Sequence, residues 1–119
     1  MQYTSGPITI FAGDYFELTP SRMGGLCDAL YDRAALVALP SDLRSRYAQH
    51  TRALLVDHAP MVLVTFEYDQ ALMKGPPFSV RDAEVREIYA PSAMRLLGEH
   101  LDARRPELAA MERCWAITL

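Results

Sequence analysis

The stretch "MVLVTFEY", residues 61–68, is an almost continuous apolar run, and its only charged residue is Glu67. The length suits a β-strand, and the lack of apolar and polar alternation is typical of a central parallel strand buried on both faces. Pro60 stands directly before the run and stops the helix predicted upstream of it. We therefore predict that residues 61–68 form the middle of a sheet.

Helical and extended patterns alternate around this strand. Residues 41–60 give the clearest helical pattern, with Ser41 as the N-cap. The inward face of that helix is predicted to carry Leu43, Tyr47, Thr51, Leu54 and Leu55. A second helix is predicted over 79–89, capped by Ser79. Shorter strands are predicted over 8–11, 27–32, 93–100 and 112–119, the last two as a hairpin, and 19–25 is predicted to be a loop. This order predicts an α/β sheet in one domain.

The composition excludes several classes of protein. A chain of 119 residues with 50% hydrophobic residues suits one domain with a real core. The net charge is −3 and no basic run exceeds a pair, so we expect no nucleic-acid partner. Neither a signal peptide nor an 18-residue apolar run is present, so we expect no membrane association. Two cysteines, Cys27 and Cys114, suit free thiols in the cytoplasm.

Polar side chains follow three of the predicted strands. Asp14 comes after 8–11, Asp32 and Arg33 end or follow 27–32, and Tyr68 leads to Asp69 after 61–68. In open α/β sheets, ligands bind outside the carboxyl ends of the strands, so we predict one shared rim. Tyr15 beside Asp14 offers a flat aromatic ring that suits a purine.

Each of these residues also has a purely structural interpretation. Asp32 and Arg33 could form a local ion pair at a helix start, and Asp14 could cap a turn. Tyr68 could be a core residue, and the prolines of "GPPF", residues 75–78, could simply stiffen a loop. The three histidines are interpreted as surface residues without a chemical role.

Four longer motifs carry a resemblance to a known family. "YTSGPITIFAGDYFELT" (3–19), "DALYDRAALVALP" (28–40), "LVTFEYDQ" (63–70) and "GPPFSV" (75–80) occur in an order and spacing that resemble the C-terminal half of the thiopurine S-methyltransferase family. The resemblance extends over residues 3–90, and the combined pattern is specific although each motif alone is weak.

The resemblance implies an α/β fold, the class I S-adenosylmethionine-dependent methyltransferase (Rossmann-like) sheet, with residues 1–119 as a partial domain. It implies methyl transfer from S-adenosylmethionine to small thiols, thiopurines, or selenium or tellurium compounds. Asp14 and Tyr15 would border the cofactor. Arg33, Tyr68 and Arg105 would hold the small-molecule acceptor, with Arg104 as the second candidate near the C-terminus.

The chain also departs from the family pattern. No G-x-G cofactor motif occurs, and the family's first two strands, which would lie between 8–11 and 27–32 in the sheet, have no counterpart. Strand 27–32 would therefore keep an unpaired edge. We expect the chain to be part of a longer protein, to pair with another copy or fragment, or to give strand 8–11 a new neighbour. The alternative function is a catalytically silent fragment or self-associating module.

Overall fold

The computed structural model describes residues 1–119 and contains two separate sheets. A small antiparallel hairpin is formed by β1 (Gln2–Ser5) and β2 (Ile8–Phe11). The larger sheet contains β3 (Leu30–Asp32), β4 (Pro60–Glu67), β5 (Ala93–Leu101) and β6 (Met111–Thr118), in the spatial order β3-β4-β6-β5. The helices are α1 (Pro20–Met23), α2 (Ser41–Ala53) and α3 (Asp82–Tyr89). Short 3₁₀ turns cover 15–17, 36–38, 70–72 and 106–108.

Strand β4 lies in the interior of the larger sheet, as its apolar run predicts. It pairs in parallel with β3, in the register Leu30↔Met61, and antiparallel with β6, in the register Leu63↔Trp115. The residues from Leu63 to Phe66 are buried without alternation, so both faces of the strand are covered. The predicted hairpin of β5 and β6 is also confirmed.

Helices α2 and α3 pack beside each other against the core. The Arg44 guanidinium on α2 donates to both carboxylate oxygens of Glu84 on α3, at 2.9 and 2.7 Å. Further along α2, Arg52 donates to the carbonyl oxygen of Tyr89 at 2.8 Å. These contacts fix the two helices over a core whose fully buried members include Trp115.

Both helices are shorter than the sequence predicts, because tertiary hydrogen bonds compete with the helical ones. Helix α2 ends at Ala53, and Cys27 exchanges main-chain hydrogen bonds of 2.9 Å with Leu54 and Val56. Helix α3 begins at Asp82, and the Ser79 hydroxyl bonds the main chain of Tyr68 instead of capping the helix.

The predicted loop over 19–25 contains helix α1, so that prediction is wrong for residues 20–23. The Thr19 hydroxyl accepts from the Arg22 amide at 3.3 Å, and Pro20 occupies the first helical turn. Gly24 ends the helix with a φ of 88°, a conformation that glycine adopts without steric cost. The residues that favoured a loop prediction therefore include the signals that start and end a short helix.

The prediction that strand 8–11 joins the main sheet is wrong. Strand β2 pairs only with residues 2–5, which is one of the three outcomes expected for a strand without its usual neighbours. Strand β3 is confined to Leu30–Asp32, and Tyr31 is 66% exposed because no element covers it. The strand is therefore shorter than the predicted range 27–32, and only Asp32 within that range is buried.

The longest helix has 13 residues, and no helix has the length and hydropathy that crossing a membrane requires.

Candidate functional site

A cavity of about 370 Å³ lies where the chain leaves β3. Its charged lining consists of Arg33, Arg104 and Arg105 together with Asp102, and its apolar lining includes Val37, Phe66, Pro76 and Pro77. Arg33 is exposed and comes directly after the end of β3. The cavity therefore combines cations with apolar walls, which suits a small anion carrying a flat apolar body.

Asp32 does not pair with Arg33, so the structure does not contain the local ion pair of the structural interpretation. The Asp32 carboxylate is 3% exposed and caps the turn that follows the strand. Its Oδ1 accepts from the amides of Ala35 and Leu36, at 3.0 and 3.4 Å. Its Oδ2 accepts from the Tyr47 hydroxyl at 2.7 Å. Because Asp32 is turned inward, the Arg33 guanidinium is not paired with this carboxylate and is available to the cavity.

The other two arginines of the cavity, Arg104 and Arg105, have different environments. Arg104 donates to Asp102 at 2.8 Å and to Glu112 at 3.4 Å, and its hydrogen bonds lower the pKa of the Asp102 carboxyl. The Arg105 guanidinium donates to the Met73 sulfur, at 3.4 Å, and forms no salt bridge. Of the two, Arg105 is the one whose guanidinium is in no salt bridge, so it is better suited to a bound anion.

The proline wall of the cavity is held in place by a network around Gln70. The Gln70 amide nitrogen donates to the Tyr68 hydroxyl at 3.1 Å and to the Met73 carbonyl at 2.8 Å, and its oxygen accepts from the Ser79 amide at 2.9 Å. The Tyr68 hydroxyl in turn donates to the Pro77 carbonyl at 2.5 Å. The loop of residues 70–79 is therefore folded on its own side chains and presents Pro76 and Pro77 to the cavity.

Tyr68 lines a neighbouring cavity of about 600 Å³ rather than the cavity of Arg33. Its ring belongs to the hydrophobic core and is 8% exposed, and its hydroxyl is committed to Pro77. Phe78 lines the same neighbouring cavity, beneath the Arg44 guanidinium at 5.9 Å from the ring centroid. Tyr68 therefore contributes to the first cavity only indirectly, through the hydrogen bond that holds Pro77 in place.

Asp14 and Tyr15 line a third cavity, of about 520 Å³, between the hairpin and the turn at 15–17. Asp14 caps this turn, since one carboxylate oxygen accepts from the Phe16 amide at 2.9 Å, and its side chain is exposed. The Tyr15 hydroxyl is hydrogen bonded to Thr51 at 2.7 Å, and its ring packs on Tyr47 with centroids 5.3 Å apart. This segment is therefore attached to helix α2.

The predicted site residues thus fall into three places. The structure brings Arg33, Arg104 and Arg105 together, whereas it sets Tyr68 in the adjacent cavity and Asp14 with Tyr15 in the third cavity, against α2. Tyr47 contacts both Tyr15, in the third place, and Asp32, the residue directly before Arg33.

Sequence reasoning missed two kinds of residue at these places. It did not identify Phe66 and Asp102 as cavity walls, and nothing in their local sequence marks them.

Sequence reasoning also passed over Tyr47 and Thr51, although their sequence pattern contained a signal. Both were predicted on the inward face of α2, and a buried hydroxyl there requires a hydrogen-bond partner. His50, interpreted as a surface residue, is half-buried against the Tyr15 ring, with centroids 5.2 Å apart.

Burial keeps three tyrosines near Asp32 protonated. Desolvation raises the pKa of Tyr15, Tyr47 and Tyr89, and the Asp32 carboxylate adds to the effect on each of them. Tyr47 therefore remains a hydrogen-bond donor to Asp32 at any physiological pH. No group of three or more His, Cys, Asp or Glu side chains is placed to hold a metal ion.

Comparisons with known proteins place these residues in one family. Residues 1–115 match the family model of thiopurine S-methyltransferase (TPMT). Thiopurine S-methyltransferase of Gluconobacter oxydans is 47% identical over 112 residues, which are 94% of this chain and 49% of that protein. The proteins of the same name from Xanthobacter autotrophicus and Pseudomonas paraeruginosa are 54% and 52% identical, over 74% and 75% of this chain and 40% of each relative. The chain spans about half the length of its relatives or less.

The fold is similar to that of a solved methyltransferase. Magnesium protoporphyrin IX methyltransferase of Synechocystis, crystallised with bound SAH, superposes with a TM-score of 0.57 at 15% sequence identity. The match covers 90% of this chain and 49% of the other. Together with the mixed sheet, it shows a partial class I methyltransferase fold.

Proposed function

The chain belongs to the thiopurine S-methyltransferase family, and we propose that it is the acceptor-binding part of an S-adenosylmethionine-dependent S-methyltransferase. The acceptors would be small thiols, thiopurines, or selenium or tellurium compounds. The observation that carries the proposal is the cavity in which Arg33 and Arg105, neither of them in a salt bridge, stand beside the apolar side chains of Phe66 and Pro76.

The chemistry of the cavity suits an acceptor that reacts as an anion. A guanidinium near a thiol favours the thiolate and lowers its pKa, and the thiolate is the nucleophile. Arg33 and Arg105 would supply this charge, while Val37, Phe66 and the prolines would hold a flat ring and exclude water. The protein forms no covalent intermediate in this scheme, since its contribution is to position and desolvate the acceptor.

The residues present fit one part of the cofactor. Asp14 has an exposed carboxylate that can accept a hydrogen bond from the exocyclic amino group of adenine, and it lines a cavity with Tyr15. S-adenosylmethionine, when bound, would supply an activated methyl group on a sulfonium. The residues 1–119 contain no glycine-rich loop for the rest of that molecule, so we assign to this chain only the adenine side.

The unpaired edge of β3 indicates where the N-terminal region of the family would bind. The outer edge of β3 has no neighbouring strand, and the exposed apolar residues beside it include Leu26 and Tyr31. Since the curated relatives are about twice as long as this chain, we propose that this edge receives a strand of the family's N-terminal region, which carries the cofactor loop. Free Cys27 and Cys114 suit the cytoplasm as the compartment.

The acceptor proposal is tested by titrating the chain with 4-nitrothiophenolate, a flat, coloured aromatic thiolate. We expect Arg33→Gln and Arg105→Gln each to weaken binding by about 10-fold to 100-fold, the range for a lost hydrogen bond to a charged group. Arg95→Gln is the matched control, because Arg95 is exposed on β5 and lines none of the three cavities described above. Equal affinity in all three variants would contradict the proposal.

The cofactor proposal is tested by calorimetric titration with S-adenosylhomocysteine. We expect heat of binding when the chain is mixed with the N-terminal region of the Gluconobacter oxydans relative, and a much weaker signal from either part alone. If the mixture gives no heat, the alternative of a catalytically silent fragment is supported instead.

A further inference from the structure

We propose that Asp32 and Tyr47 are positioning residues that hold the Arg33 side of the acceptor cavity. The inference rests on the proposed function of that cavity. Neither residue lines it, and each acts through the backbone that carries Arg33.

The geometry gives Asp32 control of the turn on both sides of Arg33. Upstream, β3 fixes Asp32 itself through its pairing with Leu63 on β4. Downstream, the Asp32 carboxylate accepts from the amides of Ala35 and Leu36. Arg33 and Ala34 therefore lie between two fixed points that belong to the same residue, and both of them line the cavity.

Tyr47 fixes the carboxylate in turn. Its hydroxyl donates to the Asp32 oxygen that does not cap the turn, and its ring is 4% exposed on helix α2. Burial of Asp32 would be unfavourable without such donors, because a desolvated carboxylate needs hydrogen bonds to remain charged. With three donors, the carboxylate is a rigid acceptor rather than a mobile one.

The same tyrosine contacts the cofactor-side segment. The Tyr15 ring packs on the Tyr47 ring, and the Tyr15 hydroxyl bonds Thr51 one helical turn further along α2. Tyr47 is therefore the residue that sets the spacing between the turn bearing Arg33 and the segment bearing Asp14. For a reaction that depends on positioning, this spacing is what the protein must control.

The first test compares Tyr47→Phe with Tyr89→Phe in the 4-nitrothiophenolate titration. Both variants remove one hydroxyl from a buried tyrosine, but the Tyr89 hydroxyl has no hydrogen-bond partner, so it is the matched control. We expect Tyr47→Phe to weaken binding by about tenfold, the effect of one hydrogen bond to a charged group, and Tyr89→Phe to leave it unchanged. Equal affinities in the two variants would overturn the proposal.

A double-mutant cycle separates positioning from a general loss of structure. In an Arg33→Gln background, Tyr47→Phe is expected to cause no further loss of affinity, because the group that it positions has been removed. The same tenfold loss in both backgrounds would mean that Tyr47 acts on the fold as a whole, and would also overturn the proposal.

Hydrogen exchange gives a readout that does not depend on the ligand. With Asp32→Asn, an uncharged oxygen still faces the amides of Ala35 and Leu36, and we expect their exchange to become about tenfold faster while the amides of β4 keep their protection. Unchanged exchange at these two amides would overturn the positioning role directly. If exchange at these two amides accelerates in Asp32→Asn as expected, but the wild-type chain does not bind 4-nitrothiophenolate, the proposed function of the cavity is overturned instead.

Discussion

The two sides of strand β4 differ in how completely they are built. On one side, β6 pairs with β4 along its whole length, from Pro60↔Thr118 to Glu67↔Met111, and β5 follows. Arg113 on β6 connects this side through salt bridges to Glu67, Asp82 and Glu99. On the other side, β3 contributes only three residues and leaves its outer edge unpaired. We call these the closed side and the open side of the sheet.

The difference explains why Asp32 is needed. The closed side holds its strands through long ladders and an ion-pair network, whereas Arg33 directly follows β3 on the open side. There, few main-chain pairs are available to fix the proposed site residue Arg33, and the hydrogen bonds of Asp32 and Tyr47 take over that role. The position of a functional group on this side therefore depends on a small number of buried side-chain contacts.

The largest difference in the free energy of unfolding is expected between a substitution of a buried residue on the closed side and a substitution of an exposed residue on the open side. Trp115 is fully buried and its indole nitrogen donates to Thr65 at 3.1 Å, so Trp115→Ala should lower the free energy of unfolding by about 3–5 kcal/mol. Tyr31→Ala should change it by less than about 0.5 kcal/mol, as is usual for exposed positions. Urea unfolding of both variants measures the difference, and similar losses would contradict the division into two sides.

The sequence predicted the closed side well. The apolar run at 61–68 predicts an interior strand, and the segments 93–100 and 112–119 are predicted to form a hairpin, because both predictions depend on residues that this chain contains. That the hairpin strand at 112–119 lies beside 61–68 was not predicted. The open side could not be predicted in the same way. Strand 8–11 has a clear strand pattern, but its partner depends on which edges are available, and that is a property of the whole assembled sheet.

The candidate site shows the same limit. Arg33 and Arg105 were identified through a family motif and a weak local match, and the structure does bring both to one cavity. Tyr68 carries an equally clear motif, yet its hydroxyl is directed to Pro77, because the following loop folds back on it through Gln70. A motif marks residues that matter to a site, but only the path of the loop determines which of them line the cavity.

The second-largest loss in the free energy of unfolding is expected in the loop that carries the proline wall. Gly75 has a φ of 85°, and a Cβ placed there would lie 2.7 Å from the Phe78 ring. Gly75→Ala should therefore lower the free energy of unfolding by about 2 kcal/mol or more, since it combines a left-handed backbone conformation with a steric overlap. Gly98→Ala on the closed side is the matched control, because a Cβ there meets no atom within 4 Å. If both variants are equally stable in urea, the wall is less rigid than the Gln70 network indicates.

Alkaline pH should lower the free energy of unfolding of the chain through Tyr47. The pKa of Tyr47 is raised by burial and by Asp32, so the residue stays protonated in the folded chain above pH 10, where it ionises in the unfolded chain. The unfolded state then binds fewer protons, and stability falls as pH rises, by about 1.4 kcal/mol per pH unit for this residue. Arg113 on the closed side has its pKa raised by its hydrogen bond to Glu99 and keeps its charge.

Urea unfolding of wild-type chain and Tyr47→Phe at pH 9, 10 and 11 measures this contribution. The two proteins differ only at position 47, so the difference in slope isolates the contribution of Tyr47. We expect a shallower decline above pH 10 in the variant. A parallel decline in the two proteins would show that Tyr47 ionises as readily in the fold as in the unfolded chain, against the hydrogen bond to Asp32.

The smallest effect on folding and the most specific effect on association are expected at the open edge itself. Tyr31→Lys places a charge on β3, and Leu97→Lys places the same charge on β5, at the opposite edge of the sheet. Both residues are exposed, so each variant should keep its folding stability to within about 0.5 kcal/mol. Charged side chains on an edge strand hinder the addition of another strand, so only Tyr31→Lys should weaken binding to the N-terminal region of the Gluconobacter oxydans relative in sedimentation experiments. If Leu97→Lys weakens that binding equally, the N-terminal region does not bind selectively at the open edge.

The same variant also tests whether a second copy of the chain binds at this edge. If the wild-type chain forms a dimer and Tyr31→Lys disrupts it, the partner at the open edge is a second copy.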